Sequence, residues 1–282
     1  MRRGITLIFG CHVSIRNGYY AAAKTAKQYN ASAFQFFPKN PRSLKIKKWD
    51  RNDTKLCKDF CTENGILSIA HSPYPTNLIP ENEVMLKANV DSIINDLEII
   101  EECGSIGLVV HFGVYKGNNV LHGYEKMIHT LNEVLSRWNG KSLLLIENNA
   151  GKGGGMGTTI EELVQIRNLV DYPEKIGFCL DSCHAFASGM WSGDNWEEVE
   201  IKGKELGYFQ HVKAVHLNNS KYKTGSMKDR HANISNGQIT IEQMKRFILS
   251  HSLKDLPMIL ETPSSEGITH KEEINYLIQQ FN

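Results

Sequence analysis

No CxxC pair and no disulfide-like spacing occurs among the six cysteines of this 282-residue chain, at positions 11, 57, 61, 103, 179 and 183. Several fall in apolar runs or on helical faces, as expected for reduced, buried thiols rather than a disulfide framework. No apolar stretch approaches the roughly 20 residues of a membrane span. The opening "MRRGITLIFGCHVS" holds two Arg and an apolar run too short for a signal-peptide core. These absences imply a soluble cytoplasmic protein with no membrane partner. An excess of charge is missing as well: Lys and Arg number 32, Asp and Glu 31. A nucleic-acid partner would have to be met by a local basic face. No linker, low-complexity tract or internal repeat divides the chain, so one domain is expected over 1–282, large enough to bury its own core.

Eight short apolar, β-branched or aromatic runs recur along the length: "ITLIFG", "AFQFF", "LSIAH", "GLVVH", "SLLLIE", "IGFCLD", "KAVHLN" and "PMILE". Between them lie stretches of helical periodicity such as "NGYYAAAKTAKQYN", "NEVMLKANVDSIINDLEIIEECG" and "HGYEKMIHTLNEVLSRW". Near-continuous apolar strands alternating with helices predict a parallel sheet covered on its outer face. Eight units of this kind point to a single α/β domain, a (β/α)8 TIM barrel. A doubly wound open sheet is the alternative.

The ends of the runs carry the chemistry. The third run ends in His71, the fourth in His111, the fifth in Glu147 and the sixth in Asp181; His216 lies in the seventh and Glu261 ends the eighth. One His at a strand end is usually a satisfied structural residue, but six successive endings drawn from His, Asp and Glu are not easily read that way. Barrel active sites assemble at this C-terminal rim. Several carboxylates buried together need positive charge between them. Two loops add His184, three residues after Asp181, and the pair Asp229 and His231 in "KDRHANI". Five imidazoles and four carboxylates, without thiolate, suit Zn2+, with Mn2+ an option at one site. Nine ligands are too many for one ion and serve three if a carboxylate is shared. Three divalent ions against four carboxylates leave roughly +2 by formal count, which favours a phosphate ester over a neutral sugar. Cys183, in "LDSCHAF", is expected to point away from its neighbours on an extended segment and to act as packing. "GKGGGMG" (151–157) lacks the order of a phosphate-binding loop and reads as a loop after the fifth strand.

Taken together, "GCHVS" (10–14), "HSPY" (71–74), "IENNAG" (146–151), "CLDSCHAFASG" (179–189), "VHLNNSK" (215–221), "KDRHANI" (228–234) and "LETP" (260–263) resemble the endonuclease IV family of zinc-dependent apurinic/apyrimidinic endonucleases. The match runs in the family's order over essentially the whole chain. It implies three Zn2+ per chain: one held by His71, His111 and Glu147; a second by Glu147, Asp181, His216 and Glu261; a third by His184, Asp229 and His231. It also implies that activated water attacks the phosphorus 5′ to an abasic sugar in double-stranded DNA, leaving a 3′ hydroxyl and a 5′ deoxyribose phosphate. Glu147 and Glu261 then carry the catalytic roles, Glu261 orienting or deprotonating the water. Arg42 and Tyr74 fall where the family inserts residues to flip the abasic nucleotide out, and a monomer is expected. The loop holding Lys39, Arg42, Lys45, Lys47 and Lys48 beside Trp49 would be the basic patch, with "KYKTGSMK" (221–228) a second. Phe112, Pro75 and Asn149 depart from the family's usual residues without touching a ligand. Two rival readings share the barrel or the partner. A sugar isomerase or epimerase needs only one or two metals and has no use for the His184, Asp229 and His231 group. A damage-binding protein that no longer cuts would not keep a full ligand set.

Overall fold

The structure is a computed structural model that describes residues 7–151, 155–264 and 267–281. Each of the eight apolar runs supplies one strand of a closed parallel barrel. The strands are β1 (Ile8–His12), β2 (Ala33–Phe36), β3 (Leu67–His71), β4 (Gly107–His111), β5 (Leu143–Glu147), β6 (Ile176–Asp181), β7 (Val212–His216) and, after a two-stranded hairpin of β8 (Asn219–Ser220) and β9 (His231–Ala232), β10 (Pro257–Leu260). Closure comes from β1, which pairs in parallel with both β2 and β10. An open doubly wound sheet would leave β1 or a neighbour with a free edge, so that alternative is excluded. The first run is displaced from its expected place: the strand continues past Gly10 to His12, and positions 5 and 6 lie outside the described residues. The same holds for 152–154 of the glycine-rich loop after β5.

The helices form where their caps and periodicity direct. In α3 (Glu83–Cys103), Asn82 accepts a hydrogen bond from Met85 N, and Gly104 ends the helix at φ 73°, a left-handed conformation that glycine adopts freely. The α3 residues Leu86, Val90, Ile93, Leu97 and Ile100 recur on one face and are buried against the barrel. The helices α1 (Tyr19–Gln28), α2 (Arg51–Asn64), α4 (Val120–Arg137) and α5 (Ile160–Leu169) follow β1, β2, β4 and β5 in the same way. No described helix is long and apolar enough to cross a membrane.

Side chains on a strand alternate between its faces, and here the alternation sets the level of every inward residue. Ala33, Ile69, Val109, Leu145, Cys179, Ala214 and Ile259, one from each of seven strands, form a separate buried cluster inside the barrel. Two residues further along the same strands stand Gln35, His71, His111, Glu147, Asp181, His216 and, just beyond the end of β10, Glu261. On β1 the corresponding step leads from Gly10 to His12. An apolar layer therefore carries a polar ring one strand repeat above it.

One expected element of the basic loop after β2 proves structural. Lys39 is buried, with Nζ 2.9 Å from Asp96 Oδ1 and 2.8 Å from Ser92 O on α3. The Asn95 side chain accepts from Lys47 N at 2.8 Å and donates to Lys47 O at 3.1 Å. The Lys47 ammonium turns inward to Tyr19 Oη at 2.7 Å. Lys39 and Lys47 thus fasten the loop, while Arg42, Lys45 and Lys48 are exposed.

Candidate metal centre

The six strand-end residues and the three loop residues converge into three groups whose ligand atoms lie within 4.8 Å of one another: His71, His111 and Glu147; Glu147, Asp181, His216 and Glu261; and His184, Asp229 and His231. Glu147 belongs to two of them. In the first group, His71 Nε2 and His111 Nε2 are 3.2 Å apart, and each is 3.5 Å from Glu147 Oε2. Within the second, His216 Nδ1 lies 2.9 Å from Glu147 Oε1, 3.2 Å from Glu261 Oε2 and 3.8 Å from Asp181 Oδ2. The third has Asp229 Oδ1 at 3.3 Å from His184 Nε2 and 3.5 Å from His231 Nε2. Ligands about 2.1 Å from a tetrahedral ion stand about 3.4 Å from each other, which is close to the spacing found.

The polar atoms left over support the same fit. Glu147 Oε2, His184 Nε2 and His231 Nε2 are buried and have no hydrogen-bond partner, a costly arrangement unless something else binds them. Meanwhile the opposite ring nitrogens are held. Nδ1 of His71 donates to Ser72 O at 2.7 Å, that of His184 to Asn148 O at 2.9 Å, and that of His231 to Glu261 O at 3.4 Å. Donation to a fixed acceptor at one nitrogen leaves the lone pair on the other, as metal-ligating histidines require.

Electrostatics reflect this crowding of unlike groups. Burial pushes the Glu147 carboxyl up, but His216 and His111 outweigh it and hold it well below the usual carboxylate range. Burial likewise opposes charge on His184 and His216, yet the carboxylates Asp181, Asp229, Glu147 and Glu261, with Cys179, raise both well above the ordinary histidine value. Asp181 is raised, chiefly by burial.

Asp181 also explains why the following segment is not extended. Its Oδ1 accepts from His184 N at 2.6 Å and caps α6 (Ser182–Ser188), so the chain turns helical directly after the strand. The expected alternation of Cys183 and His184 on an extended segment is therefore corrected. On a helix they differ in direction by about 100°, and Cys183 Sγ lies within 4.8 Å of ligand atoms of Asp181 and His231. It donates to Arg230 O at 3.7 Å, and burial pushes the thiol far up, away from thiolate. The hairpin of β8 and β9 pairs Ser220 with His231 and so returns Asp229 and His231 to the site.

A cavity of about 330 Å³ opens over the centre, walled by Phe37 and Tyr74 together with His12 and His270. Tyr74 is 68% exposed, packs edge-on against Phe37 and donates from its backbone N to Pro41 O at 2.8 Å. Arg42 sits on the adjoining turn, outside the cavity wall, its N donating to Asn40 Oδ1 at 2.9 Å. Phe112 is buried against Gly157, where an added Cβ would come within 2.3 Å of its ring. Sequence reasoning missed His12, Gln35, Asn148 and Asn218. Asn218 Nδ2 donates to Asp181 Oδ2 at 2.8 Å, and Asn148 Oδ1 accepts from Asp181 N at 2.7 Å. Position relative to the inward apolar residue was the signal that could have revealed His12 and Gln35.

The chain matches a family described as Xylose isomerase-like TIM barrel over residues 23–280. It is 39% identical over 267 residues to a probable endonuclease 4 of Symbiobacterium thermophilum, covering 95% of this chain and 97% of that protein. The crystal structure of endonuclease IV from Thermus thermophilus superposes with a TM-score of 0.82 at 30% identity, covering 97% of each chain. A D-tagatose 3-epimerase-like protein shares the fold at a TM-score of 0.72 and 19% identity, over 96% of each chain.

Proposed function

This chain belongs to the endonuclease IV family within the xylose isomerase-like TIM barrels, and from that premise we propose that it cuts double-stranded DNA 5′ to abasic sites through a centre for three divalent ions, mostly Zn2+. The observation that carries the reading is the third ligand group. His184, Asp229 and His231 come together beside the shared Glu147, and a sugar isomerase using one or two metals would have no role for them. His71, His111 and Glu147 would hold one ion, Glu147, Asp181, His216 and Glu261 the second, and the third group the last. Ions bound there supply Lewis-acid charge to the phosphate and make a water easier to deprotonate.

The chain's own residues do the rest. Glu261 Oε1 receives a hydrogen bond from Gln35 Nε2 at 2.6 Å and Oε2 one from Asn218 Nδ2 at 3.3 Å, which would hold the carboxylate at the centre, where it would accept a proton from the attacking water. Phe37 and Tyr74 wall the cavity with aromatic surface that suits an extruded sugar lacking its base. Arg42, Lys45 and Lys48 on the adjoining loop are exposed and would meet backbone phosphates.

The deciding experiment measures metal content by elemental analysis and cleavage of a duplex with one synthetic abasic site. Close to three ions per chain and incision on the 5′ side are expected. One ion per chain, unchanged after Zn2+ supplementation, would return the site to the isomerase reading.

A paired comparison assigns the thiol. Cys183→Ser is expected to keep its ions and to cut within a few-fold of wild type, because the hydroxyl can still donate to Arg230 O. His184→Ala is expected to lose one ion and roughly 10²-fold in rate, as charge facing the phosphate is removed. Loss of metal from the serine variant with retention in the alanine variant would make Cys183 the ligand.

A further inference from the structure

Gln35 is fully buried at the mouth end of β2, in the polar ring yet not among the candidate ligands. Its side-chain amide touches two members of one ligand group. Oε1 lies 2.7 Å from His216 Nε2, and Nε2 lies 2.6 Å from Glu261 Oε1 and 3.3 Å from His12 Nδ1. The orientation of the amide is forced. A carboxylate only accepts, so the NH2 group must face Glu261, and the amide oxygen is left for His216. An amide oxygen also only accepts, so His216 Nε2 must carry a proton. In the neutral ring the lone pair then sits on Nδ1, the atom nearest Glu147 and Glu261.

We propose that Gln35 is a positioning residue whose single amide fixes both the ligating nitrogen of His216 and the rotamer of Glu261. The inference rests on the metal reading above. No other side chain of this size does both. Asn is one methylene short of the span, Glu would set a second acceptor against Glu261, and Met has the length without the polar atoms. His71, His184 and His231 take their orientation from backbone carbonyls, of Ser72, Asn148 and Glu261 respectively. His216 alone among the described ligands takes it from a side chain that also holds a carboxylate of the same group.

The test uses the full-length protein stripped of metal and titrated with Zn2+ against a chromophoric chelator, and separately with Co2+ followed by its visible spectrum. Gln35→Met is expected to unfold at the same temperature as wild type when both are metal-free. It should bind one ion about 10- to 100-fold more weakly, as is typical when a partner of a ligating residue is lost, and its Co2+ spectrum should change. Gln35→Glu keeps an acceptor for His216 and loses the donor to Glu261. It is expected to retain all its ions while kcat falls and KM stays put. A Gln35→Met variant that binds Zn2+ as tightly as wild type overturns the inference. So does one whose metal-free form is destabilised in proportion to its loss of affinity, or a Gln35→Glu variant that cuts at the wild-type rate. A wild-type protein that takes up no divalent ion overturns the metal reading itself and this inference with it.

Discussion

Replacing Glu261 by Gln is expected to lower single-turnover cleavage of an abasic duplex by roughly 10²-fold or more, with folding unchanged. The side chain is held on all sides: Gln35 Nε2 donates to Oε1 at 2.6 Å, Asn218 Nδ2 reaches Oε2 at 3.3 Å, and the backbone N donates to Asn218 Oδ1 at 2.9 Å. Burial would raise its carboxyl, but His216 and His231 hold it down at about 2, so it is ionised at neutral pH and available as a proton acceptor. An amide keeps the shape and removes that capacity. The substitution also turns an NH2 group toward Gln35 or toward the centre, and either orientation spoils a contact. Measuring the rate at saturating Zn2+ separates chemistry from metal loss. A Glu261→Gln enzyme that keeps its ions and cuts at the wild-type rate would remove Glu261 from the reaction.

Stripping the divalent ions is expected to abolish cleavage and to lower the unfolding temperature together. Glu147, Asp181 and His216 are almost entirely buried within one group, and removing bound cations leaves their charges to be met by protons alone. An ion present at 100 times its dissociation constant stabilises a fold by about 2.7 kcal/mol. For a chain of this size that corresponds to a shift of roughly 4–5 °C. Calorimetry with and without chelator, followed by Zn2+ restoration, checks both effects. An unchanged transition in a protein that still cuts after exhaustive chelation would contradict the proposed centre.

The barrel and most of its ring could be read directly because both follow from a period of two. A run such as "GLVVH" states its own inward positions, Val109 and then His111, and the same step recurs on six strands. What escaped was whatever that step did not label chemically. Gln35 is uncharged and His12 lies past the end of the apolar run. The helix at Ser182–Ser188 begins without any apolar periodicity, since its start is set by the Asp181 carboxylate alone. Lys39 looked like one more cation in a basic loop because its partner Asp96 sits on α3, far along the chain. The hairpin that returns Asp229 and His231 is two residues per strand, too short to leave a pattern. The division of nine residues into three sets was implied by the resemblance, since spacing along the chain carries no such grouping; in the folded barrel those sets are neighbours in space.

The apolar layer of Ala33, Ile69, Val109, Leu145, Cys179, Ala214 and Ile259 lies one strand repeat, about 7 Å, beneath the ring. It acts as an insulating floor. With the proposed ions bound, field lines from the ring's net positive charge would be turned away from this apolar layer of low permittivity and out through the mouth toward solvent. A polyanion approaching the rim would meet that field before it touches Tyr74 or Arg42. Encounter with DNA should accordingly be fast at low ionic strength and slow steeply as salt rises, even though the chain as a whole is almost neutral.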